Sequence, residues 1–554
     1  MTSVDHATPM PTQAPAASAA RPRPVPTPVR VTPETELTLL LDVGSAWTKA
    51  ALVGRAGGRW RIVSGAAQPT AWGDAVLVED LVGRLTPHAD SRLHRRLPLL
   101  VREAPRITCR SPRRPGRLAV AADTTSRLDA ATALAIRSGW TIEAAVAGDD
   151  RRTDAERLEL LRAADVDTWL AVPSPALGSG PLWGLVAAAL GASRARVLVV
   201  GRPDEVSELV QLFGTRAESV AEALDEGLTD ALVRQLTMLN QINEARSATP
   251  VAFSRAMDAL AAGLGITVLG VDLGASWLAW RESGPPGRTA ILAATSERTL
   301  PPGSRAAAEI LPADADEFTT TDAMAGLEVH RSGLPATSVE SAIAQAVGVD
   351  RIAAARHVMG GGPAVDLIVG GGRLLAAAPH PADAALVLLD GLRPPGVTQL
   401  AIDPWGICGP LGALADDDVN EGLETLRDDL LVPLGTAVRS EGGQPGQIAF
   451  RARLHRPGWA DIPPVDVRTG SIAVLPLERG GSGDLEIELE RGVYVGAPVR
   501  GPRLRAAVTG GAVGIILDAR GDPIQLPGRP GDARTMIQSW REALRRDPRA
   551  SAAG

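Results

Sequence analysis

The chain has 554 residues, 45% of them hydrophobic and 22% charged, and a formal net charge of −7. That length allows roughly two to four domains with well-filled cores. The acidic balance and an aromatic content of 3% argue against nucleic acid as a partner, because both phosphate attraction and base stacking would be weak.

Residues 1–35 are rich in Pro, Ala and Thr and lack an apolar h-region, so they read as a disordered tail rather than a signal peptide. No apolar run approaches the ~18 residues of a spanning helix, so no membrane segment is expected. Residues 36–53 read as strand, tight turn, strand. Leu39–Leu41 form a strand end buried on both faces, Asp42-Val43-Gly44-Ser45 makes the turn, and Ala50–Val53 begins the return, with Gly57-Gly58 turning it again. A P-loop or Rossmann turn would need a helix to follow, and none does.

This hairpin holds the only lysine of the chain, Lys49; the remainder of the 57 basic residues are arginines. An ammonium is a compact charge with three rotatable donors, whereas a guanidinium is a wide planar fork. A tight turn around a phosphate accepts the first and excludes the second. The Arg-rich stretch at 92–117 reads instead as a solvated basic face.

From about 128 to 246 the chain alternates. Helices are expected at Leu128–Ser138, Thr153–Ala164, Asp204–Leu212 and Val220–Asn240, with strands at Thr141–Ala147, Thr168–Val172 and Val197–Val200. The hairpin pattern then recurs: aligning Asp42 with Asp272 also aligns Gly44 with Gly274 and Trp47 with Trp277. Helices are expected at 338–350 and 381–392. Between them, Asp366-Leu-Ile-Val-Gly-Gly-Gly372 is a buried strand running into a glycine turn. Beyond about 430, Gln447–Leu454, Ser471–Leu477, Leu485–Leu489 and Gly514–Asp518 read as strands, followed by a helix at Ala533–Arg546.

A glycine directly after a buried strand lets backbone N–H groups approach an anion. Asp42 and Asp272, at strand ends, are candidates to hold Mg²⁺ through water. Gly44, Ser45, Thr48 and Lys49, with Gly274 and Ser276 opposite, are candidates to bind phosphates. Gly370, Gly371 and Gly372 are placed to pass under an adenosine.

That order resembles the actin, hexokinase and DnaK-type superfamily, whose members bind ATP between two ribonuclease-H-like lobes. Asp42–Lys49 resembles its first phosphate motif, Asp272–Ser276 the second and Val369–Gly372 the adenosine motif. More narrowly, Leu39–Ala50, residues 367–386, Gly391–Leu414 and Val508–Gly521 are similar to the MutL family associated with glutamate mutase. The resemblance implies an α/β chain with a first actin-like lobe at 36–265 carrying an α/β insertion and a second lobe at 266–430. A β-rich C-terminal domain with a terminal helix would occupy 431–554. It also implies ATP and Mg²⁺ as cofactors and an adenosylcobalamin-dependent mutase as partner, which the protein would protect or reactivate; a reducing, cytoplasmic location is expected instead from two cysteines with no metal spacing and no obvious pairing. The family's second motif resembles Asp-Ile-Gly-Gly-Ala-Thr-Thr-Asp; here Ala275, Trp277, Leu278 and Ala279 replace the second glycine, both threonines and the final aspartate. That loss points to binding more than to hydrolysis. A non-hydrolysing scaffold and a small-molecule kinase of the same fold stand as alternatives.

Other residues leave two readings each. His380 contacts the nucleotide or stiffens its loop; Asp403 is a functional strand-end carboxylate or starts a turn before Pro404. Asp416-Asp417-Asp418 holds a metal or caps a helix. His357 lacks the Asp-x-His-x-x-Gly setting of a cobalamin ligand. Ser174 and Ser179 lack a nucleophile elbow. The two cysteines, Cys109 and Cys408, have no metal-ligand spacing.

Overall fold

Three strands, β1 (Glu36–Val43), β2 (Trp47–Ala56) and β3 (Arg59–Pro69), form the antiparallel meander that the hairpin pattern requires. Helices α1 (Asp74–Gly83) and α2 (Leu97–Glu103) lead to β4 (Arg106–Arg110), which lies parallel to β1. The sheet order is β3-β2-β1-β4. Leu39 and Leu41 of β1 face a core shared with Leu81 and Val101, while Leu40 faces a second core on the other side. The unbroken leucine run is the signature of a central strand covered on both faces.

The computed structural model describes residues 31–32, 35–56, 59–70, 74–85, 97–111, 116–174, 180–191, 193–201, 204, 206–220, 236, 248–284, 287–293, 318, 320–323, 335, 337–414, 429–456, 463–496 and 502–545. The expected tail up to residue 30, Gly57-Gly58, Ser179, nearly all of the helix read at 220–240 and Asp416–Asp418 lie outside them. Val220 itself ends a strand rather than starting a helix.

The α/β stretch is a separate parallel sheet. It comprises β5 (Arg117–Ala122), α3 (Thr125–Arg137), β6 (Thr141–Ala147), α4 (Asp154–Ala163), β7 (Thr168–Val172), α5 (Pro181–Leu190), β8 (Arg196–Val200), α6 (Ser207–Phe213) and β9 (Ala217–Val220). All pairings are parallel, in the order β6-β5-β7-β8-β9. Apolar cores cover both faces, as a parallel sheet demands. Thr153 and Glu156 form a reciprocal capping box that fixes the start of α4.

Helix α7 (Thr249–Leu264) then leads into a second meander, β10 (Val268–Leu273), β11 (Trp277–Ser283) and β12 (Arg288–Ala293). After α8 (Ser338–Val358), β13 (Leu367–Gly371) lies parallel to β10. Helices α9 (Arg373–Ala376) and α10 (Pro381–Leu392) precede β14 (Gly396–Ile402) and α11 (Cys408–Leu414). The order β12-β11-β10-β13 repeats β3-β2-β1-β4 with the same strand directions. The recurrent hairpin is thus the visible part of a repeated sheet.

The C-terminal segment extends this second sheet. β15 (Val432–Gly442) pairs antiparallel with β14. β16 (Ile448–His455), β17 (Val465–Arg468), β18 (Ile472–Leu475), β19 (Ser482–Leu489), β20 (Val493–Val495), β21 (Arg503–Thr509) and β22 (Gly514–Asp518) follow. β22 and β18 continue the sheet, while β17-β16-β19-β21 form a separate four-stranded sheet packed on it around Phe450, Ile487 and Ile515. Helix α12 (Pro530–Arg545) returns Ile537, Trp540 and Leu544 to the core of the second sheet.

The two repeated sheets meet through α7 and α11. Gly412 of α11 packs so closely that a Cβ there would lie 1.9 Å from the carbonyl oxygen of Ala252 in α7. Phe253 and Met257 of α7 join Leu40 and Val53 of the first sheet and Val369 and Ala401 of the second in one core. Asp429 adds a polar tie, accepting hydrogen bonds from Arg61 Nε at 2.6 Å and Ile62 N at 3.0 Å.

Candidate functional site

Register places the charges. In the first hairpin Asp42 pairs across the strands with Lys49; in the second, Asp272 pairs with Ala279. Side chains of directly opposed residues lie on the same sheet face, so Lys49 Nζ reaches Asp42 Oδ2 at 2.8 Å. The other oxygen, Oδ1, accepts from Thr249 Oγ1 of α7 at 2.6 Å. Both oxygens of Asp42 are therefore occupied, and Asp42 is almost fully buried. Asp272 has no lysine across from it, and its carboxylate makes neither a hydrogen bond nor an ion pair among the described residues. It keeps part of its surface open.

Lys49 crosses from the first sheet to the second. Its Nζ lies against Gly406, where an added Cβ would stand 2.9 Å away, and Gly406 has φ of 67°. Burial alone would pull the ammonium down, but Asp42, Asp272 and Asp403 more than offset it, and Lys49 is held well above the usual lysine range. Asp272 is pushed up to about 6, chiefly by burial; Lys49 opposes the rise and the neighbouring Asp42 and Asp403 add to it. One lysine among three carboxylates leaves an excess of negative charge when all are ionised.

Asp403 resolves its two readings. Its Oδ1 accepts from the backbone N–H of Trp405 and Gly406, and its Oδ2 from that of Cys408 at 2.8 Å. It builds the turn into α11, and burial raises its pKa despite those donors. His380 caps α10, its Nδ1 accepting from Ala382 N at 3.1 Å, which is the loop-stiffening role.

The glycine turn belongs to the same place. Gly371 pairs with Asp272, and a Cβ on it would stand 3.0 Å from Asp272 Oδ1. Gly372, at φ 93°, passes over Leu273, where a Cβ would lie 2.2 Å from the Leu273 oxygen. Gly370 faces Leu375 and Leu388 in the core. The two Asp-x-Gly turns are built alike. Gly44 N donates to Trp47 O at 3.0 Å, and a Cβ added at Gly44 or Gly274 would crowd Trp47 O or Trp277 O, at 2.5 and 3.0 Å. Ser45 is exposed and Ser276 half-buried at these turns. Thr48 points inward, fully buried, with its hydroxyl 3.0 Å from that of Thr70, which itself donates to Gly44 O.

Sequence reasoning passed over two cations at the site. Arg373, next to Gly372, stacks its guanidinium on the Trp47 ring at 4.3 Å, joining the glycine turn to the first hairpin. Arg351 of α8 donates from Nη1 to Gly274 O at 2.6 Å. Arg373 followed directly on a quoted motif and was legible as a neighbour. Arg351 had no local signal, because its place depends on how α8 packs. Both cysteines border the cluster. Cys109 pairs with Asp42 in the β1–β4 register, and burial pushes its thiol up to about 12; Cys408 is raised by burial and Asp403. No group of three or more His, Cys, Asp or Glu residues that could hold a metal by themselves occurs among the described residues. A divalent ion here would need ligand oxygens as well. The excess negative charge and the unengaged Asp272 carboxylate fit such a shared Mg²⁺.

No protein-family profile matches the chain, and no curated protein matches it either. Solved structures do show likeness. Component A of (R)-2-hydroxyglutaryl-CoA dehydratase from Acidaminococcus fermentans is 11% identical, over 71% of this chain and 99% of that one, with a TM-score of 0.27. A PilM–PilN type IV pilus biogenesis complex gives 14% identity over 71% and 100%, with a TM-score of 0.24. A Ppx/GppA phosphatase from Aquifex aeolicus gives 11% over 60% and 67%, with a TM-score of 0.16. No helix among the described residues is long and apolar enough to cross a membrane.

Proposed function

We propose that the chain is a two-lobed protein of the actin-like ATPase fold that binds Mg·ATP between its repeated sheets. The lobes would span 36–265 and 266–430, with the C-terminal β-rich segment 431–554 attached to the second. The observation that carries this reading is convergence. Two sheets of the same strand order bring Asp42 and Lys49 from one side and Asp272 and Gly371 from the other into a single charge cluster. Gly44, Ser45 and Lys49 would bind phosphates from the first hairpin, and Gly274 and Ser276 from the second. Thr48 would act from behind, through Thr70, by holding the Gly44 turn. Asp272 would hold Mg²⁺ through water, with Asp42 fixing Lys49. Gly370–Gly372 would pass under the adenosine. Mg²⁺ would supply charge neutralisation between the phosphates.

Slow or absent turnover is the expected companion of this geometry. Ala279 stands where the first hairpin has Lys49, and the second turn offers one hydroxyl, Ser276. The protein would then act by closing and opening on a partner, as two-state cleft proteins do. From the sequence resemblance, the partner we propose is an adenosylcobalamin-dependent mutase.

The test is calorimetric titration of Mg·ATP with phosphate release followed on the same samples. Lys49→Met alone would strand a buried Asp42 charge, so the paired Asp42→Asn/Lys49→Met variant is the cleaner comparison. Wild type should bind, the paired variant at least tenfold more weakly, with little phosphate released. No binding by wild type would reject the nucleotide reading, and rapid release would reject the non-hydrolysing one.

A further inference from the structure

Arg351 sits in an unusual position for an arginine. It lies on α8, one turn after Gly348, whose missing side chain lets the helix settle against Leu273 and Leu374. From there Nη1 holds the carbonyl of Gly274, the glycine of the second Asp-x-Gly turn, at 2.6 Å. The other terminal amine, Nη2, is enclosed and has no hydrogen-bond acceptor. Arg351 forms no ion pair among the described residues, although Asp272 is close enough to act on its charge. An enclosed guanidinium amine with no acceptor is costly, and such groups call for an acceptor from water, an ion or a ligand.

Within the nucleotide reading above, on which this rests, we infer that Arg351 Nη2 takes a terminal phosphate oxygen of the bound nucleotide. Beyond Ser276 the second turn offers no hydroxyl side chain, since Trp277 and Leu278 are apolar and buried. Arg351 supplies a donor at that turn from a different element, and it is already anchored to the turn's own carbonyl. Lys49 and Arg351 then grip the phosphates from the two sheets, while Asp272 stays open between them for the metal. A donor of this kind distinguishes tri- and diphosphates from monophosphates. It adds nothing to adenosine recognition, which lies at the glycine turn on β13.

The experiment compares Mg·ATP and AMP binding by calorimetry in wild type, Arg351→Gln and Arg351→Lys, with circular dichroism and melting as a check on folding. Gln is two bonds shorter, so it gives up the Gly274 carbonyl as well as the charge and the second amine; the AMP comparison separates a lost phosphate contact from a disturbed turn. Arg351→Gln should weaken Mg·ATP by ~10–100-fold, the range of one lost charge-assisted hydrogen bond, and leave AMP within about twofold. Arg351→Lys should recover part of the Mg·ATP affinity. Equal Mg·ATP affinity in wild type and Arg351→Gln would overturn the assignment alone, and so would equal losses for Mg·ATP and AMP. Wild type that binds neither nucleotide would overturn the nucleotide reading and this assignment with it. Should Arg351→Gln not fold, Arg351→Lys carries the same contrast, with a loss confined to Mg·ATP expected and an equal loss for AMP contradicting.

Discussion

Asp272 and Asp42 occupy matching places in matching hairpins, yet only one has a counterion. A carboxylate raised by burial is destabilising once ionised. Between the ordinary carboxylate value and about 6 the folded chain holds a proton that the unfolded chain has lost, so stability falls as pH rises through that window. Asp272→Asn should therefore raise the melting temperature at pH 7.5, by ~2–4 °C for each kcal/mol recovered in a domain of ordinary size. At pH 4 the gain should vanish. The same variant should lose the pH dependence of Mg·ATP binding, which in wild type should weaken below about pH 6 as Asp272 is protonated. A variant whose advantage over wild type is no larger at pH 7.5 than at pH 4 would show that Asp272 is not strained. Lys49→Met belongs to the opposite class. It leaves Asp42 charged and buried, at a cost of ~3–5 kcal/mol, and adding Asp42→Asn should restore most of the loss in a urea melt.

At the scale of elements, the tightest contact between the two sheets is the crossing of α7 and α11. Gly412 meets backbone, not a flexible side chain, so Gly412→Ala must push the helices apart. It should lower the melting temperature clearly, while substitution of Gly528, which meets nothing nearby, should not. Much of this level was legible in the sequence. The meander, the strands at Thr141–Ala147, Thr168–Val172 and Gly514–Asp518 and the helix at 381–392 fell where their periodicity put them. Helix α7 was missed, although Pro250 at its start and Gly265 at its left-handed C-cap are ordinary boundary signals. The repeat of Asp-x-Gly turns exposed the site because a short turn carries its own chemistry. Arg351 and the Thr48–Thr70 pair were not legible, since they depend on contacts between elements distant in sequence.

The whole molecule ties its C-terminal segment to the second sheet. β15 covers the edge of β14, and Trp540 and Leu544 of α12 sit in the same core as Leu269 and Ile368. A chain ending at residue 430 would bare that strand edge and open that core. It should aggregate or lose cooperative melting; a soluble, cooperatively melting truncation would show the segment to be independent. The parallel sheet β5–β9 has its own cores on both faces, and none of the site residues belongs to them. Closure on a ligand would therefore carry β15–β22 along with the second sheet and leave the first sheet as the other jaw.

Hydrogen exchange with and without Mg·ATP tests most directly whether both sheets close on one nucleotide. Protection should appear together at 42–49, 272–277 and 369–373, segments far apart in sequence but joined at the Lys49 cluster. Unchanged exchange at all three, or protection confined to one hairpin, would contradict a shared cleft.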